Sequence, residues 1–135
     1  MLTAALLVTA LLFGGMVLYS FGFAAFVFSV LPMETAGPTI RRAFPHFYLF
    51  VIATSTVAAL LVWSYAVPLS VGLAAVAVTG LLARQILMPA INRATDTGAK
   101  ARFRWLHGLS VLITLAHIVV AGWVLTQIPD LANLR

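Results

Sequence analysis

The chain has no cysteine, and among its 135 residues only Glu34, Asp96 and Asp130 are acidic. Without cysteine there are no disulfides, no thiolate metal sites and no thiol nucleophile. The three acids fall outside the long apolar runs. The chain therefore lacks the intramembrane carboxylate that proton- and sodium-coupled transporters usually keep. A phosphate-cradling glycine loop, an HExxH helix and a nucleophile with a paired base are also missing. Met1, Met16, Met33 and Met88 are dispersed and form no soft-metal cluster. These absences point away from enzyme chemistry, and no catalytic residue and no metal site is assigned.

What is present is apolar. The chain is 63% hydrophobic and 8% charged, against roughly 25% charged in soluble domains. Four apolar runs predict membrane spans at about 2–31, 45–65, 69–91 and 103–127, each near or above the roughly 20 residues a bilayer needs. The fold expected is a single all-α domain over 1–135, an integral membrane four-helix bundle. Leu31-Pro32 ends the first run, because proline disfavours helix at the residue before it. Residues 32–44, with Gly37-Pro38, read as a loop, and Pro45 as a first-turn residue of the second span. The uncharged link Ala66-Val67-Pro68-Leu69-Ser70 is short enough to force an antiparallel hairpin. Pro89 predicts a kink near the end of the third span, and residues 92–102 read as the third loop. The N-terminus has no basic segment before its apolar run, so that run reads as a retained span rather than a cleaved signal.

Charge sets the orientation. Of eight Lys and Arg residues, six (Arg41, Arg42, Arg93, Lys100, Arg102 and Arg104) fall in the first and third links. The other side carries only Asp130 and Arg135. The positive-inside rule puts loops 32–44 and 92–102 in the cytoplasm and both termini on the far side of a cell (inner) membrane. The pI near 10.9 then reflects basic loops facing anionic membrane lipids rather than nucleic acid.

Helices in lipid associate through close packing of small residues and a few polar bonds. Gly15, Leu18, Gly22, Ala25 and Ser29 form such a stripe in the first span. Gly72, Ala75, Thr79 and Ala83 form one in the third, and His107, Ser110, Thr114, His117 and Ala121 one in the fourth, beside Gly108. The stripes either build the bundle seams or leave a groove for a lipid-like ligand. Interfacial belts account for Trp63, Tyr65, Trp105, Trp123, Phe44 and Phe47.

Few residues carry polar chemistry. Arg84 lies inside the third span, where it either snorkels to the headgroups or faces the bundle to bind an anion, a headgroup or a subunit. His46 and His107 sit near the same membrane face, where two imidazoles can hold a metal or a haem. His117 lies near mid-membrane and needs a hydrogen-bond partner, with Thr114, Thr54, Ser55, Thr56 and Thr79 at similar depth. Arg41, Arg42, Arg84, His107 and His117 are the ligand- or partner-binding candidates. His46 and His107 are the candidates for a cofactor.

Several motifs resemble the transmembrane protein 205-like family. They are Leu31-Pro32, Thr35-Ala36-Gly37, Ala43-Phe44-Pro45-His46-Phe47-Tyr48, Ala83-Arg84 followed by Pro89, and Arg102-Phe103-Arg104-Trp105-Leu106-His107-Gly108-Leu109-Ser110. The resemblance spans nearly the whole chain. It implies a small four-span protein without an established activity, and one relative's association with platinum-drug resistance implies metal handling or membrane traffic. This chain has no cysteine, and has Ala5 where some relatives carry a histidine; both departures weaken a metal role. The architecture is more distantly similar to four-span haem-binding proteins of the protoporphyrinogen-oxidase type. Three functional expectations follow. The leading one is a non-enzymatic accessory subunit, or small oligomer, that packs against another membrane subunit or itself. The second is a ligand-handling or transport protein using His46, Arg84, Gln85, His107 and His117. The third is a haem-binding redox protein.

Overall fold

The computed structural model describes residues 1–133, with side chains through 131; Arg135, counted above with the far-side charges, lies outside the described residues. Four helices make up the chain: α1 (Leu2–Val30), α2 (Met33–Val62), α3 (Val67–Asp96) and α4 (Lys100–Asn133). Each is long and apolar enough to cross a membrane, and the chain is a multi-pass membrane protein with an all-helical four-helix bundle. Helix α1 packs on α2 and α4, α2 on α3, and α3 on α4, which closes a ring of antiparallel neighbours. Leu12, Met16, Val51, Leu73, Val124 and Ile128 are fully enclosed at its centre. Leu7, Leu60, Ile86 and Val119 point outward, as suits a surface solvated by lipid. Helical spans pair their backbone groups within the segment, as hydrocarbon requires.

The loop expected at 32–44 is helix instead. Pro32 is extended (ψ 147°) and caps α2. Its carbonyl accepts the backbone N–H groups of Thr35 and Ala36, and the Thr35 hydroxyl. Pro38 and Pro45 then lie inside α2. Each removes one helical N–H and frees the carbonyl four residues earlier. Those carbonyls belong to Glu34 and Arg41, at the polar end of the helix, where water can bond them. The proline cost is therefore small there, and the helix runs through both.

The third loop also shrinks, from 92–102 to the three residues between α3 and α4. Gly98 has φ +66°. Its N–H bonds the Thr95 carbonyl, and the Ala99 N–H bonds the Ala94 carbonyl. This is the paired closure that needs a left-handed residue just past the helix. Gly98→Ala is expected to cost about 1–2 kcal/mol, read as a lower unfolding midpoint in detergent. Gly37→Ala, with open space around it, is the matched control and should not lose stability.

At the other end α2 stops at Val62, Ala66 is extended, and Pro68 sits in the first turn of α3. The Ser70 hydroxyl donates to the Ala59 carbonyl at 2.7 Å and clasps this hairpin. Two wide π-helical turns interrupt the spans, Leu18–Phe23 in α1 and Ala83–Leu87 in α3. The distortion expected at Pro89 thus falls in the turn before it. There the Met88 N–H reaches back five residues to the Ala83 carbonyl. Widening this turn relieves the crowding that a proline ring imposes on the carbonyl four residues earlier.

The wide turn in α1 also corrects the expected seam. A π-turn inserts one residue and rotates everything after it. Gly15 faces Phe50, so close that a Cβ would lie 2.5 Å from the ring. Through the turn and past it the inward side continues as Tyr19, Phe23 and Val27. Gly22 and Ser29 are exposed: Gly22 has only Leu18 of its own helix nearby, and Ser29 bonds back to the Phe26 carbonyl. Gly108 is likewise exposed with nothing within 4 Å, because it lies two residues, more than half a turn, from inward-facing Ser110. Gly72 does meet α4, with Val120 at 3.5 Å from its would-be Cβ. Thr114 is half-buried and donates to the Ser110 carbonyl. Two glycines outside the expected stripes make close approaches, Gly80 to Ile52 and Gly122 to Phe13. Phe44 and Phe47 are not belt residues: with Tyr19, Phe23 and Tyr48 they form an aromatic cluster, and Tyr19 stacks on Phe47 at 4.8 Å.

Candidate functional site

A groove of about 560 Å³ separates α3 from α4 on the outside of the bundle. Its α3 wall sets the small residues Gly72, Ala75, Thr79, Ala83 and Ala90 among Val76, Leu82, Ile86 and Leu87, and its α4 wall is formed by Leu106, Leu109, Ile113, Ala116 and Val120. The cause is local: small side chains at helical-contact spacing leave room that bulkier ones would fill. The wide turn Ala83–Leu87 lies in the α3 wall, and Ala83, Ile86 and Leu87 line the groove. Such turns are frequent at functional sites. Ala75, Thr79, Ile86 and Ala116 are exposed, so the groove opens to the membrane side.

One polar pair interrupts the lining. His117 is 6% exposed, and its Nε2 lies 2.7 Å from the Thr79 hydroxyl. The Thr79 hydroxyl donates its single proton to the Ala75 carbonyl at 2.6 Å. With its proton on that carbonyl, the hydroxyl accepts from His117 Nε2–H, and Nδ1 is left as an acceptor. The pair sits near the middle of both spans, where a polar group needs a partner. Among the hydroxyls at that depth, the structure selects Thr79. Thr54, Ser55 and Thr56 bond carbonyls of their own helix instead.

The remaining candidates are not gathered into a cavity. His46 and His107 are exposed, and neither lines the groove; the ring of His107 stacks on Phe103 of its own helix. Among the described residues no cluster of three or more His, Cys, Asp or Glu is placed to hold a metal. Arg84 lies in the wide turn with its Nε buried and without a hydrogen-bond partner. Arg41 grips Asp96 through two bonds of 2.6 and 2.9 Å, tying α2 to the end of α3 at the surface. Arg42 is exposed beside it. Arg41 was expected to bind a ligand or partner; here its guanidinium is engaged by Asp96, the nearest opposite charge.

Two of the sequence motifs meet in space. Tyr48 in α2 and Ser110 in α4 are both buried, with their hydroxyls 3.2 Å apart. This contact was not anticipated; Tyr48 stands two residues after a histidine and Ser110 three after another, and spacing along two separate helices does not reveal a cross-bundle pair.

Residues 7–100 match the family described as a domain of unknown function, DUF4149. The chain belongs to this family. The match takes in most of α1, all of α2 and α3, and so the α3 wall of the groove. No curated protein and no solved structure matches the chain.

Proposed function

We propose that this DUF4149 protein is a non-enzymatic membrane protein that holds a lipophilic ligand in the α3–α4 groove. The observation that carries the reading is the groove itself. Its volume lies within the range of small-molecule sites, its lining is apolar, and one polar pair sets a reference point for orientation. Of the earlier expectations this is the ligand-handling one, moved from the polar membrane face to mid-span. The basic ends of the helices face the cytoplasm and both termini lie outside it, in a cell (inner) membrane, by the positive-inside rule. Kinship with the transmembrane protein 205-like family is part of the same proposal and rests on the motif resemblance along the chain.

The test is gentle extraction of the full chain, followed by solvent extraction and mass spectrometry of what co-purifies. A lipophilic molecule held by the wild type and lost from Ala116→Phe is the expected result. Ala116 is exposed in the groove wall, so the added ring fills the site without entering the core. Equal recovery from both proteins would sink the reading.

A second reading has its own observation. Gly22, Ala25 and Ser29 form an exposed small-residue line on α1 that nothing covers among the described residues. This favours an accessory subunit or small oligomer packing there. Extra polypeptide mass, or several copies, in a native mass spectrum would support it.

A further inference from the structure

The groove's shape and the charges at its ends say what kind of lipid it takes. Its α3 wall runs from Gly72 to Ala90 and its α4 wall from Leu106 to Val120. At about 1.5 Å per residue these are about 27 and 21 Å long, most of a hydrocarbon core about 30 Å thick. Spread over that length, 560 Å³ gives a cross-section of roughly 21–27 Å². A transmembrane helix, about 10–12 Å across, has a section of roughly 80–110 Å², several times that of the groove. A single extended hydrocarbon chain, about 4–5 Å wide at carbon contact distances, needs roughly 20 Å².

The two ends of the groove differ in charge. One turn beyond Ala90 on the same face of α3 is Arg93, and one turn before Leu106 on α4 is Arg102; both are exposed. Lys100 and Arg104 lie two residues from Arg102, more than half a turn round α4, and line a separate hollow of about 480 Å³ with Ala94, Thr95, Gly98 and Phe103. The nearby acid, Asp96, is held by Arg41, and this is the one ion pair among the described residues. The two cations at the mouth, Arg93 and Arg102, are therefore not neutralised by the chain. At the opposite end, beyond Gly72 and Val120, the flanking residues Val67 to Ser70 and Ala121 to Gln127 carry no charge.

We propose that the α3–α4 groove and its basic mouth form one site for an anionic phospholipid. Its phosphate sits between Arg93 and Arg102, and one acyl chain lies extended along the groove past Thr79 and His117. Basic pockets between spans on the cytoplasmic side are suited to such headgroups. This rests on the groove reading above, and adds the headgroup charge and the direction in which the lipid lies.

The experiment is native mass spectrometry of the full chain in detergent, offered equal amounts of phosphatidylglycerol and phosphatidylcholine with identical chains. The expected result is preferential retention of phosphatidylglycerol. Each arginine near the headgroup is worth about fivefold in affinity. Arg93→Gln with Arg102→Gln should then weaken phosphatidylglycerol about 25-fold, towards the phosphatidylcholine level. Ala116→Phe, or Ala75→Leu if the first variant does not fold, should remove both lipids. Equal retention of the two lipids, lost on filling the groove, overturns the anionic site and leaves the groove reading standing. Preference abolished by the arginine changes but untouched by filling the groove places the lipid on the basic surface alone and overturns both. Displacement of phosphatidylglycerol by an equal concentration of inorganic phosphate overturns the single-site proposal, since the chain would then add nothing.

Discussion

Tyr48→Ala is expected to destabilise the bundle by about 3 kcal/mol or more. The ring is 3% exposed and packs on Phe47 at 5.5 Å, inside the aromatic cluster that joins α1 to α2. Its hydroxyl reaches Ser110 on α4. In lipid the loss is of packing contacts and a filled volume, not of transfer from water, which favours the low end of the usual range for removing a buried ring. Tyr48→Phe keeps the ring and should cost only about 0.5–1 kcal/mol for one interhelical hydrogen bond. Unfolding free energies from SDS titration in mixed micelles would separate the two. If alanine costs no more than phenylalanine, the cluster is not holding α1, α2 and α4 together.

The Thr79 and His117 pair should give an asymmetric result. Thr79→Val keeps the shape but leaves the His117 Nε2–H without its acceptor in a buried, mid-span position. An orphaned donor there is expected to cost about 1–2 kcal/mol. His117→Leu strands nothing comparable, because the Thr79 hydroxyl still donates to the Ala75 carbonyl; its cost should be below about 1 kcal/mol. The double variant should recover most of the Thr79→Val loss, since both polar partners have then been replaced by apolar groups. Equal and additive effects would mean that the two side chains are not coupled, and that the orientation of the imidazole is set by something else. The same variants bear on the site. His117 lines the groove, so His117→Leu should alter which lipophilic molecule co-purifies more than how much.

Much of this was legible along the chain. The four spans, their antiparallel order and the clustering of basic charge at one end follow from run length and loop charge, which the bilayer reads residue by residue. His117 could be marked as a mid-membrane polar group needing a partner for the same reason. The loops were harder. Pro38 and Pro45 look like helix breakers, yet their cost depends on whether the freed carbonyls meet water or hydrocarbon, which is a matter of depth. Gly98 was visible as a glycine, but the three-residue link it permits appears only when its bonds to Thr95 and Ala94 are seen.

By itself the sequence determined a four-span helical membrane protein with one basic end, because apolar length and charge are local properties that the membrane sorts. Only the tertiary structure decided which faces meet. The wide turn at Leu18–Phe23 rotated Gly22 and Ser29 away from the face of Gly15, while Tyr19, Phe23 and Val27 carry on the buried side. Helix pairing chose Thr79 among several hydroxyls for His117 and left the α3 stripe of small residues half-covered, as a groove rather than a closed seam. Those outcomes turn on the relative rotation of neighbouring helices, which one extra residue in a turn changes by about 100°.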